Sequence, residues 1–233
     1  ALGAALSAAA VADETGVTVT VFGTPAEEGG GGKILMLERG AFKGINAAMM
    51  IHPAPIDVVD PPINAAYQFD VFYTGKEAHA SSYPERGVNA ADALTIAQTA
   101  IGLLRQHIRP TDRVHGIISK GGDAPNVVPA HTSARYMVRA RSIANLDDIR
   151  GKVYRCFEAG ALATGATMEF VERESAYSEL RSDPDLATIY KRNAEELGRI
   201  LPDLGPGAER FAGATDMGNI SLAMPAIHPM IGI

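Results

Sequence analysis

The sequence predicts an α/β fold, in which a largely parallel-sheet domain is interrupted by an inserted α+β domain of ferredoxin-like βαββαβ order. The order strand, helix, strand over residues 17–51 indicates a βαβ unit of a parallel sheet. The paired prolines of VVDPPIN, at residues 58–64, cannot continue a helix or a central strand and indicate a linker. We therefore expect one domain from residues 1–62 and 175–233, with a second domain inserted as residues 63–174.

The outer domain is predicted from helical and β-branched runs. Its first twelve residues are rich in alanine, which favours a helix. The elements expected after them are a strand, a short helix, a second strand and a late helix, at Val17–Phe22, Ile34–Arg39, Asn46–Ile51 and from Asp183 onward. Leu197 and Ile200 recur at helical spacing with the other apolar residues of the late helix, so we expect them to face inward. The final segment is expected to be a loop followed by a short strand.

The inserted domain is predicted from a change in periodicity. Aromatic and β-branched residues alternate with polar ones from Tyr67 to Tyr73, which indicates a half-buried strand. A long helix with an apolar stripe follows, and a second helix is expected to start near Asn145. The remaining strands are predicted at Val114–Ser119, Arg135–Ala140 and Thr167–Val171.

Composition and charge exclude several classes of protein. The 233 residues carry 21 Lys and Arg against 27 Asp and Glu, and the resulting net charge of −6 without a basic patch argues against nucleic acid as a partner. No apolar stretch reaches membrane-spanning length, and no signal peptide is visible. Cys156 is the single cysteine, so we expect no internal disulfide and a reducing, cytoplasmic location. The chain begins inside an apparent helix, and we expect both ends to be cut.

Glu27 and Glu28 follow the first predicted strand and precede four glycines, in the segment TPAEEGGGGK. Adjacent carboxylates repel each other, so their place at a strand end indicates a nearby cation. One carboxylate can ligate a divalent metal while its neighbour accepts the proton of a metal-bound water. The alternative is an acidic, solvated turn. A phosphate-binding loop is excluded, because Lys33 is followed by Ile34 rather than by Ser or Thr, and Glu27 stands where that motif needs glycine.

His52 ends the second apolar run, in the turn HPAP. The carboxyl ends of parallel strands gather ligands at one edge of a sheet, which places His52 near the two glutamates. Imidazole and carboxylate together suit zinc, manganese or cobalt. A hydrogen-bonded core histidine is the alternative interpretation.

Four segments together resemble the M20 family of metallopeptidases and amidohydrolases, and in particular its aminoacylase-like and aminobenzoyl-glutamate hydrolase-like branch. They are PAEEGGGGK with the later HPAP, TGKEAHASSYPERGVNAADA, GGDAPNVVPAHTSARYMVRA and GATDMGNISLAMPAIHP. The resemblance runs through almost the whole chain. It implies that the outer domain is catalytic and that the inserted domain is a lid through which two subunits dimerise.

The resemblance implies a role for three residues of the outer domain. Glu27 matches the general base, which takes a proton from a metal-bridging water as that water attacks an amide carbonyl. Glu28 matches a metal ligand, and His52 stands where this branch has a histidine ligand. The implied cofactor is two divalent metal ions, with zinc expected first and manganese or cobalt as alternatives.

In the lid, the resemblance implies a further three roles. His79 matches a histidine that reaches the active site of the other subunit and stabilises the developing oxyanion. Asn126 and Arg139 match residues that hold the carboxylate of the substrate, also across a homodimer. From the residues alone, His79 and Asn126 are equally compatible with solvated turns, and Arg139 with a strand residue paired to an acid.

The chain also departs from the family. The family's first metal ligands belong to a segment upstream of residue 1, and its last ligand histidine lies downstream of the IHP sequence, where we interpret His228 as structural or as a support for the ligands. The implied function is hydrolysis of amide bonds in N-acyl amino acids, small dipeptides or aminobenzoyl-glutamate-type conjugates. The alternatives are a catalytically incomplete, dimerising module that binds a carboxylate ligand, and an amino-acid-binding regulatory domain, which would leave the glutamate pair unexplained.

Overall fold

The computed structural model describes residues 2–202, 204–205, 207–208 and 212–233. The chain has a mixed α/β structure and divides into two compact units: unit 1 is residues 1–63 with 180–233, and unit 2 is residues 64–179. Within the described ranges, no helix combines the length and the apolarity that crossing a bilayer requires.

The helices and strands follow in chain order. Before the insertion, unit 1 contains α1 (Leu2–Ala10), α2 (Ala12–Thr15), α3 (Gly32–Glu38), β1 (Ala48–Met49) and β2 (His52–Ala54). Unit 2 contains β3 (Ala65–Thr74), α4 (Ala90–Leu104), β4 (Arg113–Lys120), β5 (His131–Ala140), α5 (Ile143–Thr164) and β6 (Thr167–Glu172), with short 3-10 turns at Pro84–Arg86 and Arg105–His107. Unit 1 resumes with α6 (Pro184–Glu196), α7 (Met217–Ala223), β7 (Ala226–Ile227) and β8 (Met230–Gly232).

Unit 2 is a four-stranded antiparallel sheet in the order β4-β5-β3-β6. Its elements follow the order βαββαβ, which is that of ferredoxin-like sheets. The alternation in β3 buries Phe69, Val71 and Tyr73 against the two helices. The α4 and α5 backbones touch, since a Cβ on Gly160 would lie 2.2 Å from the carbonyl oxygen of Ala93. This leaves one face of the sheet covered by helices.

The opposite face of the sheet in unit 2 carries charged side chains. Asp70 accepts hydrogen bonds from Arg135 Nε at 3.0 Å and from Arg173 Nε at 2.7 Å. Burial alone would raise the pKa of Asp70, but the two guanidinium groups outweigh it and hold the pKa of this carboxyl below its ordinary value. The carboxylate is therefore charged on this face at neutral pH.

Unit 1 is held together by two short parallel pairings, β1 with β7 and β2 with β8. The apolar cluster beside them contains Phe42, Met217 and Ile220. Where the chain returns from unit 2, the backbone N–H of Leu180 donates to the carbonyl of Ile63 at 3.4 Å. The two separate parts of unit 1 are thus joined both at the insertion point and along the parallel strands.

Three expectations for unit 1 are wrong. Residues 17–22 are not a strand; Val17 is 56% exposed, and no described strand accepts their backbone hydrogen bonds, without which a β-branched run gains little. Leu197 and Ile200 are exposed, because α6 ends at Glu196, before either of them. Part of the segment expected to be a loop is the helix α7, whose Met217 and Ile220 pack against Phe42.

Candidate metal and active site

The glutamate pair lies on a loop that closes on itself. The backbone N–H of Gly32 donates to the carbonyl of Ala26 at 3.4 Å. A Cβ on Gly32 would lie 1.9 Å from the carbonyl oxygen of Pro25, so only glycine permits this approach. Ala26 is the one described non-glycine residue with positive φ, at 60°, a conformation that costs roughly 1 kcal/mol or more. Glu27 is half-buried and Glu28 exposed on this strained loop.

The loop leads directly into a buried ion pair. Lys33, the second residue of α3, donates its Nζ to Asp216 Oδ1 at 2.6 Å, and its backbone N–H to Asp216 Oδ2 at 2.9 Å. Lys33 is 3% exposed and Asp216 is fully buried. Both oxygens of one carboxylate are therefore used by a single residue at the end of the glutamate loop.

His52 is exposed at the start of β2 with a fixed ring orientation. Its Nδ1 lies 2.7 Å from the carbonyl oxygen of Pro53. A carbonyl can only accept, so Nδ1 carries the proton and the lone pair is on Nε2. Metal-binding histidines commonly have this arrangement, in which a backbone carbonyl fixes the tautomer of the ligating ring.

His228 lies on the same face of the parallel strands as His52. Met230 pairs with His52, and His228 precedes Met230 by two residues, the period at which strand side chains share a face. The ring centroids of the two histidines are 6.0 Å apart. Burial, and after it the charges of His52 and Lys33, lower the pKa of His228 to about 4, against a smaller opposing effect of Asp216. The buried ring is therefore neutral, and both of its nitrogens lack hydrogen-bond partners among the described residues.

These donors suit a metal by chemistry but do not enclose one. Among residues 2–202, 204–205, 207–208 and 212–233, no three or more His, Cys, Asp or Glu side chains are grouped so as to hold a metal ion. Tightly bound zinc usually has three or four protein ligands. Glu28 and His52 are therefore candidates for part of a metal shell.

In unit 2, the segments that carry His79 and Asn126 are joined. The backbone N–H of Ala80 donates to the carbonyl of Asn126 at 2.9 Å, and His79 forms an antiparallel bridge with Val127. The backbone N–H groups of Ser81 and Ser82 donate to His79 Nδ1, each at 3.3 Å. Nδ1 is thereby an acceptor, which leaves the proton of the neutral ring on Nε2. His79 is exposed, so this N–H is available as a donor to a ligand.

Arg139 lies at the other end of the β3–β5 ladder. It pairs with Ala66 near the start of β3, whereas His131 pairs with Thr74 at its end. Eight residue steps of about 3.3 Å separate His131 from Arg139, which is roughly 26 Å. Asn126 lies further along in the same direction, beyond the end of the ladder. The structure thus brings His79 and Asn126 together but does not bring Arg139 to them within one chain.

The surroundings of Arg139 favour an anion. Its side chain is half-buried, and burial lowers the pKa of its guanidinium. Arg113 lies opposite Arg139 on β4. Among the described residues, no carboxylate forms a salt bridge with Arg139, whereas Asp70 on the same sheet is bound by Arg135 and Arg173. A partly desolvated cation of this kind gains most from a planar carboxylate.

Sequence reasoning treated Lys33 only as part of a rejected phosphate motif, interpreted His228 as structural or as a support for the ligands, and gave Asp216 no role. Asp216 is separated from Lys33 by 183 residues, so no local pattern links them. The available signal was compositional: a lysine directly after four glycines, and an aspartate within the apolar segment GATDMGNIS.

Comparison with known proteins supports the assignment from sequence. Residues 65–164 match the peptidase dimerisation domain of the M20 family. Over 229 residues, 98% of this chain and 53% of the relative, the chain is 39% identical to the Xaa-Arg dipeptidase of Mus musculus. It is 36% identical to one of the subunits of the p-aminobenzoyl-glutamate hydrolase of Escherichia coli over 177 residues, which are 72% of this chain and 37% of the relative. The chain thus spans about half the length, or less, of the curated relatives it matches.

Solved structures show the same fold. An aminobenzoyl-glutamate utilization protein from Klebsiella pneumoniae superposes with a TM-score of 0.75 at 24% identity, covering 90% of this chain and 56% of that one. A Bacillus subtilis protein, described as a dinuclear metal binding peptidase from the M20 family, superposes with a TM-score of 0.61 at 20% identity, covering 90% and 54%. These structures show the fold, and the dimerisation-domain match and the sequence relatives show that the chain belongs to the M20 peptidase family.

Proposed function

We propose that this chain provides the proton-transfer and lid residues of a metal-dependent hydrolase that cleaves amide bonds in small dipeptides, N-acyl amino acids or aminobenzoyl-glutamate-type conjugates. The observation that carries this proposal is the 39% identity, over 98% of the chain, with a relative named Xaa-Arg dipeptidase. Among the candidate substrates we therefore place dipeptides with a C-terminal arginine first. We assign the protein to a reducing, cytoplasmic compartment, since its single cysteine, Cys156, is unpaired.

Glu28 and His52 would hold part of the metal shell, and the remaining ligands would be ones that the described part of the chain does not group with them. Two divalent cations, zinc or alternatively manganese or cobalt, would lower the pKa of a bound water and polarise the scissile carbonyl. His52 suits its role because Pro53 fixes the ring with Nε2 as the acceptor. Glu27, half-buried beside Glu28, would take the proton of the attacking water and return it to the leaving amine.

The lid residues would bind the substrate. The Nε2–H of His79 would donate to the oxygen that becomes negative as the carbonyl is attacked, and Arg139 would pair with the carboxylate of the substrate, to which Asn126 would add a hydrogen bond. A dipeptide backbone spans about 7 Å, much less than the roughly 26 Å between the ends of the ladder. A site that used all three side chains would therefore draw them from two subunits.

The exposed edge of the sheet supports a homodimer. β4 is an edge strand and presents Ile117, which is 63% exposed, next to the exposed Ile118. An exposed edge strand that carries apolar side chains is a template for pairing with another strand. A second copy of the chain would cover it through a symmetric contact.

Replacing Ile117 with Glu is expected to weaken this dimer by about 100-fold or more, because the two-fold axis would bring two like charges together. Sedimentation over a range of concentrations measures the dissociation constant, and circular dichroism checks the fold. Leu162→Glu is the matched control, since Leu162 is 87% exposed on α5. A wild-type protein that is monomeric at high concentration, or a dimer broken only by the control variant, would contradict the β4 interface.

The second candidate function is a dimerising module that binds a carboxylate ligand without hydrolysing it. The observation that favours it is the absence of a three-ligand metal group among the described residues. It would retain the roles of Arg139 and Asn126 and discard that of Glu27.

Elemental analysis combined with an activity assay separates the two functions. The purified full chain, dialysed against zinc, is expected to retain close to two equivalents of metal and to release arginine from an Xaa-Arg dipeptide. Removal of the metal by a chelator should abolish turnover, and zinc should restore it. Neither metal nor turnover, together with binding of the intact dipeptide in calorimetry, would favour the non-hydrolytic module and overturn the enzyme.

A further inference from the structure

The Lys33–Asp216 ion pair is buried at a position where an apolar pair of side chains could also pack. Burying two charges is unfavourable unless their geometry is good, and apolar pairs of similar volume are often as stable or more so. Here the geometry is unusually complete, since one carboxylate receives both the ammonium at 2.6 Å and the backbone N–H of Lys33 at 2.9 Å.

The side chain of Asp216 does not cap the helix α7 that follows it. It occupies the N-cap position of α7, where an aspartate side chain commonly accepts a backbone N–H of the first helical turn. In this structure the carboxylate makes no such cap bond. It extends instead to Lys33, at the end of the glutamate loop.

We infer that the Lys33–Asp216 pair is a clamp that positions Glu27 and Glu28. The role of this pair in the reaction rests on the proposed hydrolase function. Asp216 fixes Lys33 through both its side chain and its backbone, and Gly32, the adjacent residue, is in contact with Pro25 and Ala26 at the start of the loop. Fixing residue 33 therefore fixes both stems of the loop, and the glutamates between the stems have little freedom.

The strain of the loop explains why a clamp is needed. Ala26 has the left-handed φ of 60°, and Gly30 and Gly31 also have positive φ, at 99° and 61°. A glycine-rich segment loses more conformational entropy on ordering than any other, and Ala26 would relax to an ordinary conformation if the stem were released. Neither Lys33 nor Asp216 needs to contact a substrate, so both are positioning residues.

The decisive variant is the double replacement Lys33→Met with Asp216→Leu, in the full chain. Apolar replacement of both partners is expected to keep unit 1 folded, with a melting temperature close to that of the wild type. It removes the acceptor for the Lys33 backbone N–H, so the amides of residues 26–33 should exchange with deuterium at least 10-fold faster. Affinity for zinc should fall by about 10- to 100-fold, the usual effect of losing a residue that orients metal ligands. The matched control is Lys43→Met, at an exposed lysine outside the loop.

Three single variants test the parts of the clamp. Lys33→Met alone leaves Asp216 able to accept the backbone N–H, so its effect on exchange should be smaller than that of Asp216→Leu. Lys33→Arg keeps the charge and should restore most of the zinc affinity. Unchanged exchange and unchanged zinc affinity in the folded double variant would overturn the clamp. If the wild type binds no zinc, the hydrolase function fails, while the amide exchange of residues 26–33 still decides whether the pair holds the loop.

Discussion

Replacing Glu27 with Gln is expected to lower kcat for hydrolysis of an Xaa-Arg dipeptide by roughly 10²- to 10⁴-fold, the contribution usual for a general base. The amide cannot accept a proton, but it has nearly the shape of the carboxylate and leaves Glu28 and His52 in place. Bound zinc, measured by elemental analysis, should therefore stay within a factor of two of the wild type. KM should change little, because the lost interaction belongs to the transition state.

The matched control for this variant is Glu38→Gln, at an exposed glutamate on the helix that follows the same loop. It removes the same charge and should leave kcat unchanged. A Glu27→Gln enzyme with near wild-type turnover would show that another group accepts the proton. A variant that had lost its zinc as well would instead make Glu27 a ligand.

Replacing Phe69 with Ala is expected to lower the free energy of unfolding of unit 2 by about 3–5 kcal/mol, the usual range for truncation of a buried phenylalanine. The ring is fully buried at the centre of the sheet. It stacks on Phe170 with centroids 4.2 Å apart, and meets Phe157 edge-on at 5.8 Å and Tyr136 at 6.1 Å. Truncation would abolish these three ring contacts and leave a cavity. The remaining rings could fill it only by adopting unfavourable rotamers.

Urea unfolding followed by circular dichroism measures this loss. Phe72→Ala is the control, because Phe72 lies on the same strand, is 38% exposed and faces away from the helices. Its truncation should reduce the stability by less than about 1 kcal/mol. Equal losses for the two variants would mean that the helix-covered face is not the core of unit 2.

Unit 2 was the part most predictable from the sequence, because its signals are local and strong. Apolar and polar residues alternate from Tyr67 to Tyr73, the length of a strand. The observed strand β3, Ala65–Thr74, is longer by two residues at its start and one at its end. The helix predicted near Asn145 begins slightly earlier, at Ile143, because the side chain of Ser142 is the acceptor that caps it. The strands expected at Val114–Ser119 and Thr167–Val171 differ from β4 and β6 by a residue or two at the ends.

Unit 1 was less predictable, because partners distant in the chain decide its local structure. The run from Val17 to Phe22 has high strand propensity, but propensity for a strand has no effect without a neighbouring strand to complete the ladder. The helix α7 spans only Met217–Ala223, too short for its apolar period to be recognised.

The candidate site likewise has residues that local sequence patterns indicate and features that only the fold shows. Adjacent carboxylates and a turn histidine are visible in the sequence, so Glu27, Glu28 and His52 could be proposed from it. The pairing of Lys33 with Asp216 depends on a fold that joins residues 183 positions apart, and the sequence holds no rule for that distance. The separation of Arg139 from Asn126 likewise follows from the strand register rather than from their spacing along the chain.

The insertion of unit 2 into unit 1 bears on the order in which a ribosome-bound chain can fold. Lys33 emerges long before Asp216, and an unfolded tether of this length would oppose their meeting entropically. Unit 2 is complete once residue 179 has emerged, and its folding draws together the chain ends at Ile63 and Leu180, which are hydrogen-bonded in the finished protein. Folding of unit 2 thus replaces a long, flexible connection between the two parts of unit 1 by a short one. We therefore expect unit 1 to complete its fold only after unit 2 has folded.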